Sequence, residues 1–162
     1  MTDTTTPETT GLVRASFTLE RDYKASVDKA FQAFADPAIK AQWFGGPSDE
    51  WEDLGTGLDF REGGHEYNEG RFHAMDLVSR FDAYYHEITP NERIVYNYEM
   101  RINGEKLSVS LASIEFAPTA SGGTHLTLSE YGVWFSNQDE DPRRREHGTA
   151  ELLDALGAAI DG

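Results

Sequence analysis

Ser26–Gly46, SVDKAFQAFADPAIKAQWFGG, reads as two short helices joined at Asp36-Pro37. Ser26 is a good N-cap, and Asp28 in the first turn favours the positive end of the helix dipole. Val27, Ala30, Phe31 and Phe34 recur at helical spacing, so one apolar stripe faces a core. Pro37 stops the first helix, and its fixed φ suits the first turn of a second. Ile39 and Trp43 lie four apart on one side of that second helix, and Gly45-Gly46-Pro47 ends it.

Outward from this stretch the chain turns to period-two patterning. On the N-terminal side, Val13, Ala15, Phe17 and Leu19 alternate with Arg14, Ser16, Thr18 and Glu20, as in a half-buried strand. Residues 1–11 are Thr-rich with no apolar face and read as a disordered lead-in, leaving 12–162 as one domain. On the C-terminal side, 48–57 reads as an acidic loop around Trp51, Leu58–Arg61 as a strand, and Gly63-Gly64 as a turn. Further strands are expected over Glu66–Ala74, Val78–Ile88, Arg93–Ile102, Lys106–Phe116 and Thr124–Phe135. Their connections carry ordinary turn chemistry at Thr89-Pro90-Asn91-Glu92, and Asn103-Gly104 is a strong hairpin signal. Closely connected strands favour one antiparallel sheet. A last helix opens on Asp141-Pro142 and carries the stripe Leu152, Leu153, Leu156 and Ile160. The expected fold class is therefore α+β: a curved antiparallel sheet of six or seven strands, two short helices after the first strand, and a long C-terminal helix across the concave face.

Composition narrows the function. Against 14 basic residues stand 29 acidic ones, a formal charge of −15. Such a surface repels phosphate backbones and anionic lipid, so nucleic acid and membrane insertion are disfavoured. Cysteine is absent, which excludes disulfides, thiolate nucleophiles and zinc–thiolate sites and fits a cytoplasmic protein. The start MTDTTTPETT has neither the basic nor the apolar region of a signal peptide, and no apolar run is long enough to span a bilayer.

Several pieces in order resemble a known family: Val27–Phe34 followed by Asp36-Pro37, then Trp43-Phe44, Phe60-Arg61-Glu62-Gly63-Gly64, Ile88–Ile94 (ITPNERI), Thr124–Glu130 (THLTLSE), and the closing helix. From Val13 to Ile160 the chain resembles the domain of activator-of-heat-shock-protein-ATPase homologues, in the START-like (Bet v-type, SRPBCC) superfamily. One departure is Gly148-Thr149, where many relatives carry Gly-Trp. The resemblance implies a helix-grip fold around a deep cavity. It implies no single reaction, because relatives are similar to lipid carriers, polyketide cyclases, stress-related proteins and co-chaperones.

If such a cavity exists, the strands supply its walls: Phe72, Phe81, Tyr85, Tyr96, Tyr98, Leu111 and Trp134, with Ile94, Tyr96, Tyr98 and Met100 on one face. Apolar walls with a few hydroxyls suit a lipid-like or aromatic, polyketide-like molecule. Trp43 and Phe44 are read either as a mobile lip or as plain packing of the short helix. Glu87 and Glu130 lie within strands; a carboxylate aimed into an apolar pocket would have a raised pKa and could move protons in a cyclase or dehydratase. The five histidines show no tight metal spacing, so no metal or cofactor is expected; His73 and His86 near Asp76 or Glu87 form the one conjectured ligand set. The expectation is thus a binder of a hydrophobic small molecule. The alternatives are an enzyme using Glu87 or Glu130, and a module docking on a chaperone ATPase; a homodimer is left open.

Overall fold

A computed structural model describes residues 11–45, 49–135 and 141–161. The expected lead-in over 1–11, and Gly46-Pro47 of the glycine hinge, fall outside the described residues, except for Gly11. Seven strands form one antiparallel sheet: β1 (Leu12–Tyr23), β2 (Trp51–Leu58), β3 (His65–Phe72), β4 (Leu77–Thr89), β5 (Arg93–Ile102), β6 (Glu105–Pro118) and β7 (Thr124–Phe135). Their spatial order is β1-β7-β6-β5-β4-β3-β2. From β2 to β7 each strand pairs with the next, and β1 closes against β7 with Phe17 opposite Glu130. The helices are α1 (Val27–Ala35), α2 (Pro37–Lys40) and α3 (Pro142–Asp161). This is a helix-grip fold, and no described helix is long and apolar enough to cross a membrane.

The local signals act as their chemistry dictates. The Ser26 hydroxyl accepts from Lys29 N at 3.3 Å, and the Asp36 carboxylate accepts from Ala38 N at 2.9 Å, so Asp36 ends α1 and caps α2. Asn103 (φ 51°) and Gly104 (φ 83°) make the β5–β6 hairpin with both central residues left-handed, the primed turn that matches strand twist.

Ala30, Phe31, Ala33 and Phe34 are buried as the α1 stripe predicts. Phe31 and Phe34 meet Phe116 edge-on at 5.6 Å, and Leu153, Leu156 and Ile160 of α3 complete the main core. Gly157 lets α3 approach β1: a Cβ there would stand 3.0 Å from the Tyr23 ring, whose hydroxyl donates to Leu153 O at 2.7 Å.

One expectation is corrected. Trp51 opens a strand, β2, and is not set in an acidic loop; the chain from Asp59 to Gly64 forms the following turn. Its polar residues and glycines hid an edge strand, which needs a hydrogen-bonded neighbour on one side only. The glycines are required by rings: a Cβ on Gly70 would stand 1.9 Å from Trp51, and one on Gly57 2.4 Å from Tyr67.

Candidate functional site

Strand alternation sends Ser79, Phe81, Ala83 and Tyr85 of β4, and Ile94, Tyr96, Tyr98 and Met100 of β5, to the concave face. Glu66 of β3, Ser108, Ser110 and Ala112 of β6, and Glu130 and Trp134 of β7 share it. The register places Tyr85 opposite Tyr96, and Tyr98 follows two positions along β5, so the phenols form a row that crosses from β4 to β5 and continues along β5. Ring centroids are 5.8 Å apart from Tyr85 to Tyr96 and 6.1 Å from Tyr96 to Tyr98.

Each end of this row stands on a buried carboxylate. At one end the Tyr85 hydroxyl donates to Glu66 Oε1 at 2.6 Å, and Lys40 Nζ of α2 donates to the same oxygen at 2.7 Å. The side chains of Lys40 and Glu66 are 10% and 3% exposed. The Phe60–Gly64 turn fixes this end. Gly63 N donates to Tyr85 O, Tyr85 N donates to Gly64 O, and Glu62 accepts from Ile88 N beyond a bulge at His86. A Cβ on Gly64 would lie 2.0 Å from Asp59 O, so the turn closes only around glycine. Burial beside the Glu66 charge drives the Tyr85 phenol far above its ordinary pKa, so it is a fixed donor.

At the other end the Tyr98 hydroxyl donates to Glu130 Oε2 at 2.7 Å. Arg145 reaches in from the first turns of α3, donating to the Tyr98 hydroxyl at 3.0 Å and to Ser108 Oγ at 2.8 Å. Its guanidinium stands 3.6 Å from Glu130 and 5.1 Å from the Trp134 ring centre. Burial raises the Glu130 pKa, and the Tyr98 hydrogen bond and Arg145 charge only partly oppose this. Ser110 Oγ lies close enough to act on that charge yet has no partner in hydrogen-bond geometry among the described residues. The buried Trp134 indole N–H likewise has no acceptor among the described residues.

Tyr96 lies between the two ends. Its phenol pKa is pushed well up by burial and by the neighbouring Tyr98, Glu130 and Glu66. Its hydroxyl makes no hydrogen bond among the described residues and is not sealed off, because the residue keeps accessible surface. Phe81 and Met100 beside it are half-buried although they face inward.

Trp43 is core packing: it is buried, edge-on to Phe34 at 4.9 Å, and its indole donates to Ala33 O at 3.0 Å. Phe44 retains exposure and covers Phe81 at 5.2 Å. Phe72 packs against Trp51 at the outer end of β3. Two expectations fall to strand parity. Leu111 is on the outer face and 49% exposed, because the inward positions of this part of β6 are even-numbered. Glu87 also faces outward, where it pairs with Arg93, because the His86 bulge inserts a residue before it. The conjectured metal ligands do not assemble: His86 bonds Asn97, His73 sits in the turn after β3, and no described group of three metal-ligating residues exists. At the start of α3, Arg143 pairs with Asp141.

Lys40, Glu66 and Arg145 were not singled out as site residues by sequence. Glu66 left a trace, since a carboxylate at an inward position of an alternating strand needs a partner.

A model of the family described as activator of Hsp90 ATPase homolog 1-like protein matches residues 24–161. No curated protein matches the chain. A protein from Rhizobium leguminosarum is 35% identical, with TM-score 0.83 over 92% of this chain and 95% of that one. A Rhizobium loti protein is likewise 35% identical, with TM-score 0.81 over 92% and 99%. An AHSA1-like protein from Aeromonas hydrophila, 16% identical, shares the fold with TM-score 0.66 over 90% and 92%. The helix-grip architecture and the match over most of the domain place this chain in the activator of Hsp90 ATPase homolog 1-like family.

Proposed function

We propose that the concave face binds a hydrophobic small molecule, lipid-like or aromatic, between the tyrosine row and the helices. The observation that supports this most is Tyr96. It stands at the centre of the inward face, yet keeps accessible surface and a hydroxyl that bonds no described residue. A filled core would cover the ring and find that hydroxyl a partner. Phe81, Met100 and Phe44 supply apolar wall, and the tyrosines orient whatever lies there. The lack of cysteine fits a cytoplasmic setting. Native mass spectrometry and thermal-shift screening against lipids and aromatic metabolites test the reading. A retained or stabilising ligand that protects Tyr96 supports it; a blank screen with a solid core in a crystal structure ends it.

A second reading is favoured by Glu130. A carboxyl with raised pKa, hydrogen-bonded to a phenol and near a guanidinium, has the equipment of a general acid in a cyclase or dehydratase. Turnover that survives Glu130→Gln removes this assignment. Docking on a chaperone ATPase is the third reading. It rests on the family match alone and predicts a change in that ATPase rate on adding the protein.

A further inference from the structure

We infer that Glu66 is the ligand-orienting carboxylate of the concave face, and that the ligand presents a hydroxyl or phenol donor to it. This rests on the ligand-binding reading above. Lys40 and Tyr85 both bind Oε1, so two donors fix one oxygen and leave Oε2 free. No described residue donates to Oε2, and it is not among the sealed, partnerless buried atoms. A buried carboxylate held by one oxygen is pre-oriented, so a donor that reaches its second oxygen binds without further cost in side-chain entropy.

The surroundings select the donor's character. Lys40 already balances the Glu66 charge, so a cationic ligand gains little there, and an anionic group brings no donor to Oε2. A neutral O–H gains a charge-assisted hydrogen bond. The adjacent unbonded hydroxyl of Tyr96 can serve a second oxygen on the same ligand, and Phe81 and Phe44 offer their rings to a flat apolar body. The inferred class is a neutral planar aromatic bearing a phenolic or enolic hydroxyl.

The test compares 2-naphthol with 2-methoxynaphthalene, which keeps the ring but lacks the donor, by calorimetric titration of the full chain. Wild type is expected to favour 2-naphthol by about tenfold or more, the usual worth of a hydrogen bond to a charged group. Glu66→Gln should reduce that preference to within about threefold while 2-methoxynaphthalene binds as before. Glu66→Asp keeps the charge opposite Lys40 but withdraws the carboxylate by one methylene. It should also lose most of the preference, so the test does not hang on the Gln variant folding. Equal affinities in wild type, or a preference that survives both substitutions, overturns the inference and leaves ligand binding intact. Binding of neither compound overturns this inference, and a blank in the wider lipid and aromatic screen together with a solid core overturns the ligand-binding reading as well.

Discussion

Lys40→Met probes the junction between the short helix and the sheet. The substitution keeps most of the apolar stem and removes the ammonium, which stands 2.7 Å from Glu66 and 4.7 Å from the Phe44 ring centre. At that separation two unit charges attract by about 6 kcal/mol with an effective dielectric constant near 20. Most of this offsets the desolvation of both groups, so the intact pair adds little net stability. Removing one partner is different, because Glu66, 3% exposed in the intact chain, then keeps Tyr85 as its single donor among the described residues. The expected loss is about 3–5 kcal/mol, or roughly 6–20 °C in Tm for a chain of this size. Urea denaturation of Lys40→Met, Glu66→Leu and the double variant measures it. The double variant should be less destabilised than the sum of the singles by about 2 kcal/mol or more, since no uncompensated charge remains. A single-variant loss below about 1 kcal/mol, with additive effects, would mean that water reaches the pair as at a surface, and would refute the buried-site argument.

Three further outcomes are expected. His125 bridges Asp22 at 2.6 Å and Glu20 at 2.8 Å across β1 and β7, and these carboxylates raise its pKa. Its contribution is therefore complete below the unfolded value of about 6.5 and is lost as pH rises through the higher folded value; an NMR midpoint at or below 6.5 contradicts this. Glu130 is also shifted upward, so the folded state holds its proton longer and the group costs stability as pH rises from its unfolded value through its folded one. The stability of wild type relative to Glu130→Gln should fall over that interval in denaturation series run from pH 4 to pH 8, and a flat difference refutes the shift. In α3, Gly148→Ala meets nothing within 4 Å and should stabilise by up to about 1 kcal/mol. Gly157→Ala presses on Tyr23 and should destabilise by about 1 kcal/mol or more, both read by thermal melts.

The fold was largely legible because its signals are local. Ser26, Asp36-Pro37, Asn103-Gly104 and Asp141-Pro142 act within a few residues of themselves, and each marks an element boundary. From β2 to β7 the order of the sheet follows the short connections between strands, whereas the pairing of β1 with β7 is non-local. Edge strand β2 escaped because its pairing partner, not its own composition, makes it a strand. The site was legible only in part. Alternation carried Tyr96 and Tyr98 to one face, but it left the facing of Glu87 and Glu130 open, and at Glu87 a single bulged residue reverses the side chains beyond it.

By itself the sequence determined the helix caps, the hairpins, the α1 stripe and the acidic, cysteine-free character of the chain, all set by neighbouring residues or by composition. Only the tertiary structure decided that Lys40 meets Glu66 across 26 positions, and that Arg145 meets Tyr98 across 47. A buried charge is tolerable only where the folded chain delivers its counter-charge, and that delivery depends on strand register and helix placement that no local pattern encodes.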